Sequence, residues 1–531
     1  MAVIGIDLGT TNSLGCVYRN GKAELIPNAY GSYLTPSVVS MTEDRLITYP
    51  ERTVSSFKKD MGTGRSWKPG EKSFLPEELS SLVIRSIVED AQNYLGEEIE
   101  EAVILVPAYF HDEQRVAVKR AGALAGIHVE RIVNEPSAAA LTSYFTANEE
   151  QNMLVFDFGG GTLDVSLVDC FDTMVEIVSV AGNNRLGGDD FDRLIAEHFL
   201  REHGVARQQL RAQEYAVLLK QAERCKKLLS EQEEVVMHAM VGDQVYESTY
   251  TMDRLFEESK ALLKEIRQVI GRALKDGKMT IHDVDLVVMA GGSSKMPLIQ
   301  KYIRHLFHKA PMVQGNCDEL IALGLGLVCG VKERKEEIKD YILTDICPFS
   351  LGVATINEAD PDRAYMANII NRNTVLPCSR VRRFYTASDQ QDYVVVEVHQ
   401  GENTYAQDNL LLGKIEISVP PKPKGKEAVD VRFTYDINGI LMVDTRVVST
   451  GVVKTHIISQ KIPEAELEER VRELEKAVSM LEYYDPFEEE FDASESDWDL
   501  WDEEEAQDPD NEETDEEKYW KKEGDDHSWT S

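Results

Sequence analysis

No apolar run in this chain approaches the roughly 18 uninterrupted residues of a membrane-crossing helix, so no membrane partner is expected. Cysteine is sparse: seven in 531 residues, odd in number and without a Cys-x-x-Cys pair. That usage argues against a disulfide framework or a zinc site and favours reduced thiols in a cytosol. No basic, cleavable leader precedes the first strand-like run at Ala2-Val3-Ile4, and a cytoplasmic location is the expectation. Positive charge is also short, with 57 Lys and Arg against 94 Asp and Glu. Lacking a basic stripe, the chain is not expected to bind nucleic acid.

What the chain does have is acid, unevenly placed. Of its net charge of −37, the segment 485–531 carries 22 acids against 3 bases. That segment also holds four of the five tryptophans: Trp498, Trp501, Trp520 and Trp529. Such a composition buries little apolar surface and reads as a disordered, solubilising tail. The alternative is an aromatic-acidic segment that engages a partner or another part of the chain itself.

Ahead of the tail, the pattern changes by zone. Residues 1–340 alternate strand-like runs with helical stretches, as in an α/β fold. A short segment, 341–345, links them to 346–460, where short strands and turn signals such as Asn438-Gly439 predict an all-β sandwich. In 461–484, Leu467, Val471, Leu474, Val478 and Leu481 step by four and three, predicting one amphipathic helix ended by Pro486.

The most informative pattern is a repeat. Val3-Ile4-Gly5-Ile6-Asp7-Leu8-Gly9-Thr10-Thr11-Asn12 returns about 150 residues later as Met153-Leu154-Val155-Phe156-Asp157-Phe158-Gly159-Gly160-Gly161-Thr162. Each copy is a buried-strand run, a carboxylate and a Gly/Thr turn. Glycines let backbone N–H groups approach phosphate oxygens, hydroxyls add donors, and a carboxylate holds a cation. A single Asp-x-Gly also makes an ordinary hairpin. Two copies in matching contexts point to two related lobes facing one nucleotide.

Further segments occur in a specific order: Val106-Pro107-Ala108-Tyr109-Phe110, Asn134-Glu135-Pro136-Ser137, Leu186-Gly187-Gly188-Asp189-Asp190, Gly291-Gly292-Ser293-Ser294-Lys295, Leu351-Gly352-Val353, Gln400-Gly401-Glu402-Asn403 and Asp436-Ile437-Asn438-Gly439. With them, the chain resembles the heat shock protein 70 (DnaK) family of chaperones, most closely its short HscC-like branch. The resemblance implies an actin-like, ribonuclease H-like duplicated ATPase domain followed by a β-sandwich peptide-binding domain; the short helical, acidic C-terminal tail that follows resembles no part of the family. It implies ATP or ADP with Mg²⁺ as cofactors, with K⁺ a further candidate. It also implies unfolded polypeptides and a J-domain co-chaperone as partners, a nucleotide-exchange factor as a further candidate, and a mainly monomeric chain.

Residue roles follow from the same resemblance. Asp7 and Asp157 would hold Mg²⁺ through its waters, while Gly9, Thr10, Thr11, Asn12, Gly159, Gly160, Gly161 and Thr162 would cradle the phosphates. Lys58 aligns with the catalytic lysine, although by itself Lys58-Lys59 reads as a solvated pair. Glu135 would position the attacking water; its plain reading is a helix-start acid. Glu223, Lys226, Lys227, Ser230, Gly291, Gly292, Ser293, Lys295 and Asp318 would surround the nucleoside, with a surface ion pair as the plain reading of Glu223 and Lys226. Lys295 stands where the family usually has arginine and lacks its planar stack. Pro107, Arg115 and Asp345, together with Lys119 and Arg131, would serve interdomain coupling. Val353, Ile356, Phe384, Ala387 and Val394 would line the peptide groove, although composition alone makes them core residues.

Two departures stand out. Between Leu46 and Thr53 the chain is shorter than the family pattern, and after Pro486 no apolar periodicity remains for a helical lid. Peptides are therefore expected to exchange quickly. The leading reading is an ATP-driven peptide-binding chaperone. A non-cycling holdase or exchange relative would share both domains, and a small-molecule kinase would share only the first.

Overall fold

The computed structural model describes residues 2–41, 53–68, 73–147, 150–241, 244–313, 317–357, 360–457 and 481–483, with the single positions Glu469 and Arg472. The sequence repeat becomes a repeat of topology. In the first sheet, Val3–Asp7 lies between Asn12–Arg19, antiparallel to it, and Glu101–Val106, parallel to it. In the second, Gln151–Phe158 lies between antiparallel Leu163–Phe171 and parallel Leu286–Ala290. All five residues of Val3–Asp7 are buried, because helices cover both faces. Beneath Pro76–Leu95 and Asp112–Leu124, Ile4, Ile6, Ile104 and Val118 form one core. Val3, Val103, Val155 and Leu325 form another against Glu135–Ala147 and Cys317–Lys332. Glu135 opens its helix directly at the end of the His128–Asn134 strand, which fixes this carboxylate at the sheet's edge.

Residues 351–457 form two four-stranded antiparallel sheets. One runs Asp360–Ile370, Leu351–Asn357, Tyr393–Gln400, Leu410–Ser418; the other runs Cys378–Tyr385, Ala428–Tyr435, Leu441–Val447, Val453–Ile457. Alternate residues such as Val429, Val431 and Phe433 fill the space between them.

The linking segment is itself a strand. Ile342–Ile346 runs parallel to Met174–Asn183, pairing Met174 with Ile342 and Glu176 with Thr344. Its last two residues then pair with Val375–Leu376 of the sandwich. One strand thus continues the second α/β sheet into the β-sandwich region.

The end of the stretch expected as a single helix differs. Leu481–Tyr483 is a strand, antiparallel to Val38–Met41, with Tyr483 opposite Val39 and Leu481 opposite Met41. Pro486 disfavours helix just ahead of it, and among the described residues Val38–Met41 otherwise pairs only with the short Thr53–Ser55, so its open edge accepts another strand. The shortened segment 42–52 and the tail 485–531 lie outside the described residues, as does most of 461–484. No described helix is long and apolar enough to cross a membrane.

Candidate functional site

The two Gly/Thr turns face each other. A methyl group on Gly160 would lie 3.4 Å from Thr11 Oγ1 and 3.3 Å from Asp189 Oδ1. Each turn is held from within: Gly9 N–H donates to Ser13 Oγ at 3.1 Å, and Gly159 N–H to the Thr162 carbonyl at 3.0 Å. Ser37 Oγ donates to the Gly9 carbonyl at 2.8 Å, anchoring the first turn from behind.

Between the turns lies a concentration of acid with little counter-charge. Lys58 Nζ donates to Glu135 Oε1 at 3.1 Å, both groups largely buried, and the ammonium stands 5.7 Å from the centre of the Phe110 ring. Asp7 and Asp157 are also buried. Burial, then the negative charges of Glu135, Asp164 and Asp7, holds the Asp157 carboxyl well above the usual range. Asp164 is pushed up to about 8 by burial and then Glu135, and its Oδ1 has no hydrogen-bond partner.

Carboxylates so placed resist simultaneous ionisation unless a cation joins them. An orphaned buried oxygen beside clustered acids therefore fits a divalent ion. No three Asp, Glu, His or Cys groups among the described residues converge as a direct metal cage. The arrangement suits Mg²⁺ that keeps several of its waters.

The second lysine of the pair is not simply solvated. Lys59 Nζ reaches Asp189 Oδ2 at 2.7 Å, and its side chain lies directly against Gly161, where any Cβ would collide with it. Sequence reasoning missed Lys59, Asp189 and the charge load of Asp164, because nothing local links residues 59 and 189.

At the nucleoside end, Lys226 and Ser293 converge on Gly188. Lys226 Nζ donates to the Gly188 carbonyl at 3.0 Å and pairs with Asp192 Oδ1 at 2.8 Å. A Cβ on Gly188 would collide with Ser293 Oγ. Glu223 instead pairs with Lys227 at 2.8 Å, one helical turn along. Ser230 and Lys295 are exposed, Gly292 lies in the same short turn as Lys295, and the side chain of Asp318 lies outside the described residues. Gly291 has φ 77°, and a Cβ there would stand 2.6 Å from Asp157 Oδ1. Only glycine lets this turn approach the carboxylate.

In the sandwich, a cavity of about 680 Å³ opens between the edge strands Asp360–Ile370 and Cys378–Tyr385. It is lined by Thr355, Ile356, Tyr365, Met366, Ala367, Asn368 and Arg382. Of the five groove residues expected, Ile356 lines it and is 67 % exposed. Val353 is buried in the sandwich core, and Phe384 and Val394 pack partly against that core. Ala387 stands at an exposed turn, its N–H donating to Gln391 Oε1 at 2.9 Å. Tyr365 and Met366 were not anticipated, because they lie on the strand Asp360–Ile370, which local sequence pattern did not single out within the sandwich.

The coupling candidates gather where the sandwich meets the first sheet. Arg115 is buried and donates to Asn134 Oδ1 at 2.7 Å and to the Phe110 carbonyl at 3.1 Å. Pro107, also buried, accepts the Phe110 N–H at 3.1 Å. Across the interface, Ile132 N–H donates to Asn438 Oδ1 at 3.0 Å and Leu441 N–H to Asp112 Oδ1 at 2.9 Å. Arg372 of the sandwich pairs with Asp276 at 2.7 Å, and Tyr109 meets Phe349 edge-on at 4.5 Å. Asp345 accepts from Ser137 Oγ at 3.4 Å. Burial lowers Arg131, and the Asp345 carboxylate opposes that shift. Burial also lowers Lys119, opposed by Asp436 and Glu130.

A duplicated α/β ATPase lobe joined through a strand to a β-sandwich defines a nucleotide-driven, two-domain protein. Comparison with known proteins agrees. The model of the Hsp70 protein family matches residues 3–68 and 57–525. The chain is 36% identical over 505 residues to the chaperone protein DnaK of Thermotoga neapolitana, covering 89% of this chain and 83% of that protein. The chain belongs to the Hsp70 family. It is an ATP-dependent molecular chaperone and an ATPase.

Proposed function

We propose that this chain binds extended apolar segments of unfolded polypeptides in the cavity beside Ile356, and that ATP hydrolysis between the two turns switches that binding. One observation carries the reading most. The strand Ile342–Ile346 pairs with the ATPase lobe on one side and the sandwich on the other, so a change in the lobe reaches the groove through backbone hydrogen bonds.

Hydrolysis transfers a phosphoryl group to water, which demands positioning and charge neutralisation more than covalent help from the protein. Glu135 holds Lys58 at 3.1 Å, which places an ammonium beside the phosphate turns and leaves the second carboxylate oxygen to orient the attacking water. Thr10, Thr11 and the Gly159-Gly160-Gly161-Thr162 turn present hydroxyl and backbone N–H donors to phosphate oxygens. Asp7, Asp157 and Asp164 would surround a hydrated Mg²⁺, which supplies charge neutralisation to the phosphates when bound. Lys59, held by Asp189, stands at the outer side of the same turn. Lys226, Ser293 and Gly291 would meet the nucleoside, and Lys295 covers it without an arginine's planar stack.

The interface formed by Asp112, Arg115, Ile132, Asn438 and Leu441 is the proposed route of coupling, with Pro107 and Asp345 at its ends. A J-domain co-chaperone and a cytoplasmic, mainly monomeric existence complete the reading. The test is ATP turnover with and without an unfolded peptide. Stimulation supports the cycle, whereas peptide binding with unstimulated turnover supports a non-cycling holdase.

A further inference from the structure

The cavity between the two sandwich sheets has positive charge at its mouth, although the chain as a whole is acidic. Along the edge strand Cys378–Tyr385, Arg380 lies opposite Phe433, Arg382 opposite Val431 and Phe384 opposite Val429. Directly opposed residues of an antiparallel pair share a face, and Val429, Val431 and Phe433 are buried between the sheets. Arg380, Arg382 and Phe384 therefore stand on the inter-sheet side, at its open edge. Arg383, one position out of phase, lies on the outer face in a forked pair with Asp430 at 2.7 and 3.0 Å.

The two inner arginines are exposed, and both donate to backbone carbonyl groups. Arg382 Nη1 donates to the Asn368 carbonyl at 3.0 Å, which brings the guanidinium across the mouth of the cavity, 5.6 Å from the Phe384 ring centre. Arg380 Nη1 donates to the Ser379 carbonyl at 3.0 Å. No described carboxylate forms an ion pair with either, and the other cavity-lining residues are uncharged. A guanidinium fork exposed beside apolar surface is built for a carboxylate.

We infer that this groove selects client segments in which aspartate or glutamate flanks the apolar residues, with Arg380 and Arg382 as the specificity-determining residues. The inference rests on the reading of this cavity as the peptide site. An extended client lying along the open edge would place its apolar side chain against Ile356, Tyr365 and Met366. A neighbouring acid would then reach Arg382, and one further along would reach Arg380. Lysine at those positions would meet like charge and lose its hydration without a partner.

The test uses the full chain and fluorescence anisotropy with short labelled peptides. Each has a tri-leucine centre flanked on both sides by aspartate, by lysine or by serine. Expected is about tenfold tighter binding of the aspartate peptide than of the lysine peptide, as two partly exposed ion pairs allow, with the gap shrinking as salt rises. In the double variant R380Q/R382Q the gap should close, with the lysine peptide binding tighter than before, a gain that a misfolded chain would not produce. R383Q, on the outer face, should leave the preference intact. Equal binding of the aspartate and lysine peptides, a lysine preference, or an acidic preference that survives the double variant would overturn the inference while leaving the groove in place. Binding of none of the three would overturn the groove itself.

Discussion

Asp112 Oδ1 accepts the backbone N–H of Leu441 at 2.9 Å, tying the first turn of an ATPase-lobe helix to a strand of the sandwich. Its other oxygen is buried without a partner. Burial pushes the Asp112 carboxyl from 3.8 to about 7, against the lowering pull of the Leu441 N–H and Arg115; Asp436 and Glu113 push it further up. Separation of the domains would rehydrate the group and return it to the ordinary range, so docking takes up a proton. Stability of the docked arrangement is then full below about pH 4, falls from there to about 7, and is flat above. Fluorophores on the two domains should report weaker docking across that window, and D112N should flatten the profile. Docking that strengthens with rising pH would contradict this.

At the phosphate end, K58A leaves the largely buried Glu135 carboxylate without its 3.1 Å partner. Turnover should drop by about 100-fold or more, the scale of losing one preorganised group on the reacting centre. E135Q keeps the shape and a hydrogen bond to Lys58 but weakens water orientation, so single-turnover hydrolysis should slow while nucleotide binding holds. Equal loss of binding in E135Q would point to a structural role.

G291A places a methyl group 2.6 Å from Asp157 Oδ1 at a φ of 77°. Expected are destabilisation of about 1–3 kcal/mol and weaker nucleotide binding, read by calorimetry and nucleotide titration. G271A, at an exposed helix position where a methyl group meets nothing within 4 Å, should leave nucleotide binding unchanged and raise stability by about 0.5–1 kcal/mol.

The strand Leu481–Tyr483 closes the edge of Val38–Met41, whose other neighbour, Thr53–Ser55, leads into the Phe57–Asp60 turn bearing Lys58. E482P fixes φ and removes the backbone N–H at the centre of that three-residue strand, which disfavours the pairing. Amide exchange over Val38–Met41 should quicken by about tenfold or more. Unchanged exchange would show that this pairing does not protect the edge.

Much of this was legible in the sequence because it is local. The repeated strand-carboxylate-turn pattern around Asp7 and Asp157 spells out both lobes, and period-two alternation spells out Ala428–Tyr435. Lys58 was readable only through family resemblance, since its partner Glu135 lies 77 positions away. The Lys59–Asp189 pair spans 130 positions and left no local trace. Leu481 fits a helical stripe, yet it pairs as a strand because a tertiary edge outweighs local propensity. Arg382 reads as a surface charge until the register opposite Val431 turns it inward.

The most direct test of nucleotide-driven peptide binding is the dissociation rate of one labelled apolar peptide from the full chain, measured with ATP and again with ADP. With the Ile342–Ile346 strand coupling lobe and groove, ATP should speed release by about tenfold or more, and D345A should narrow the difference. The same release rate in both nucleotides would contradict it.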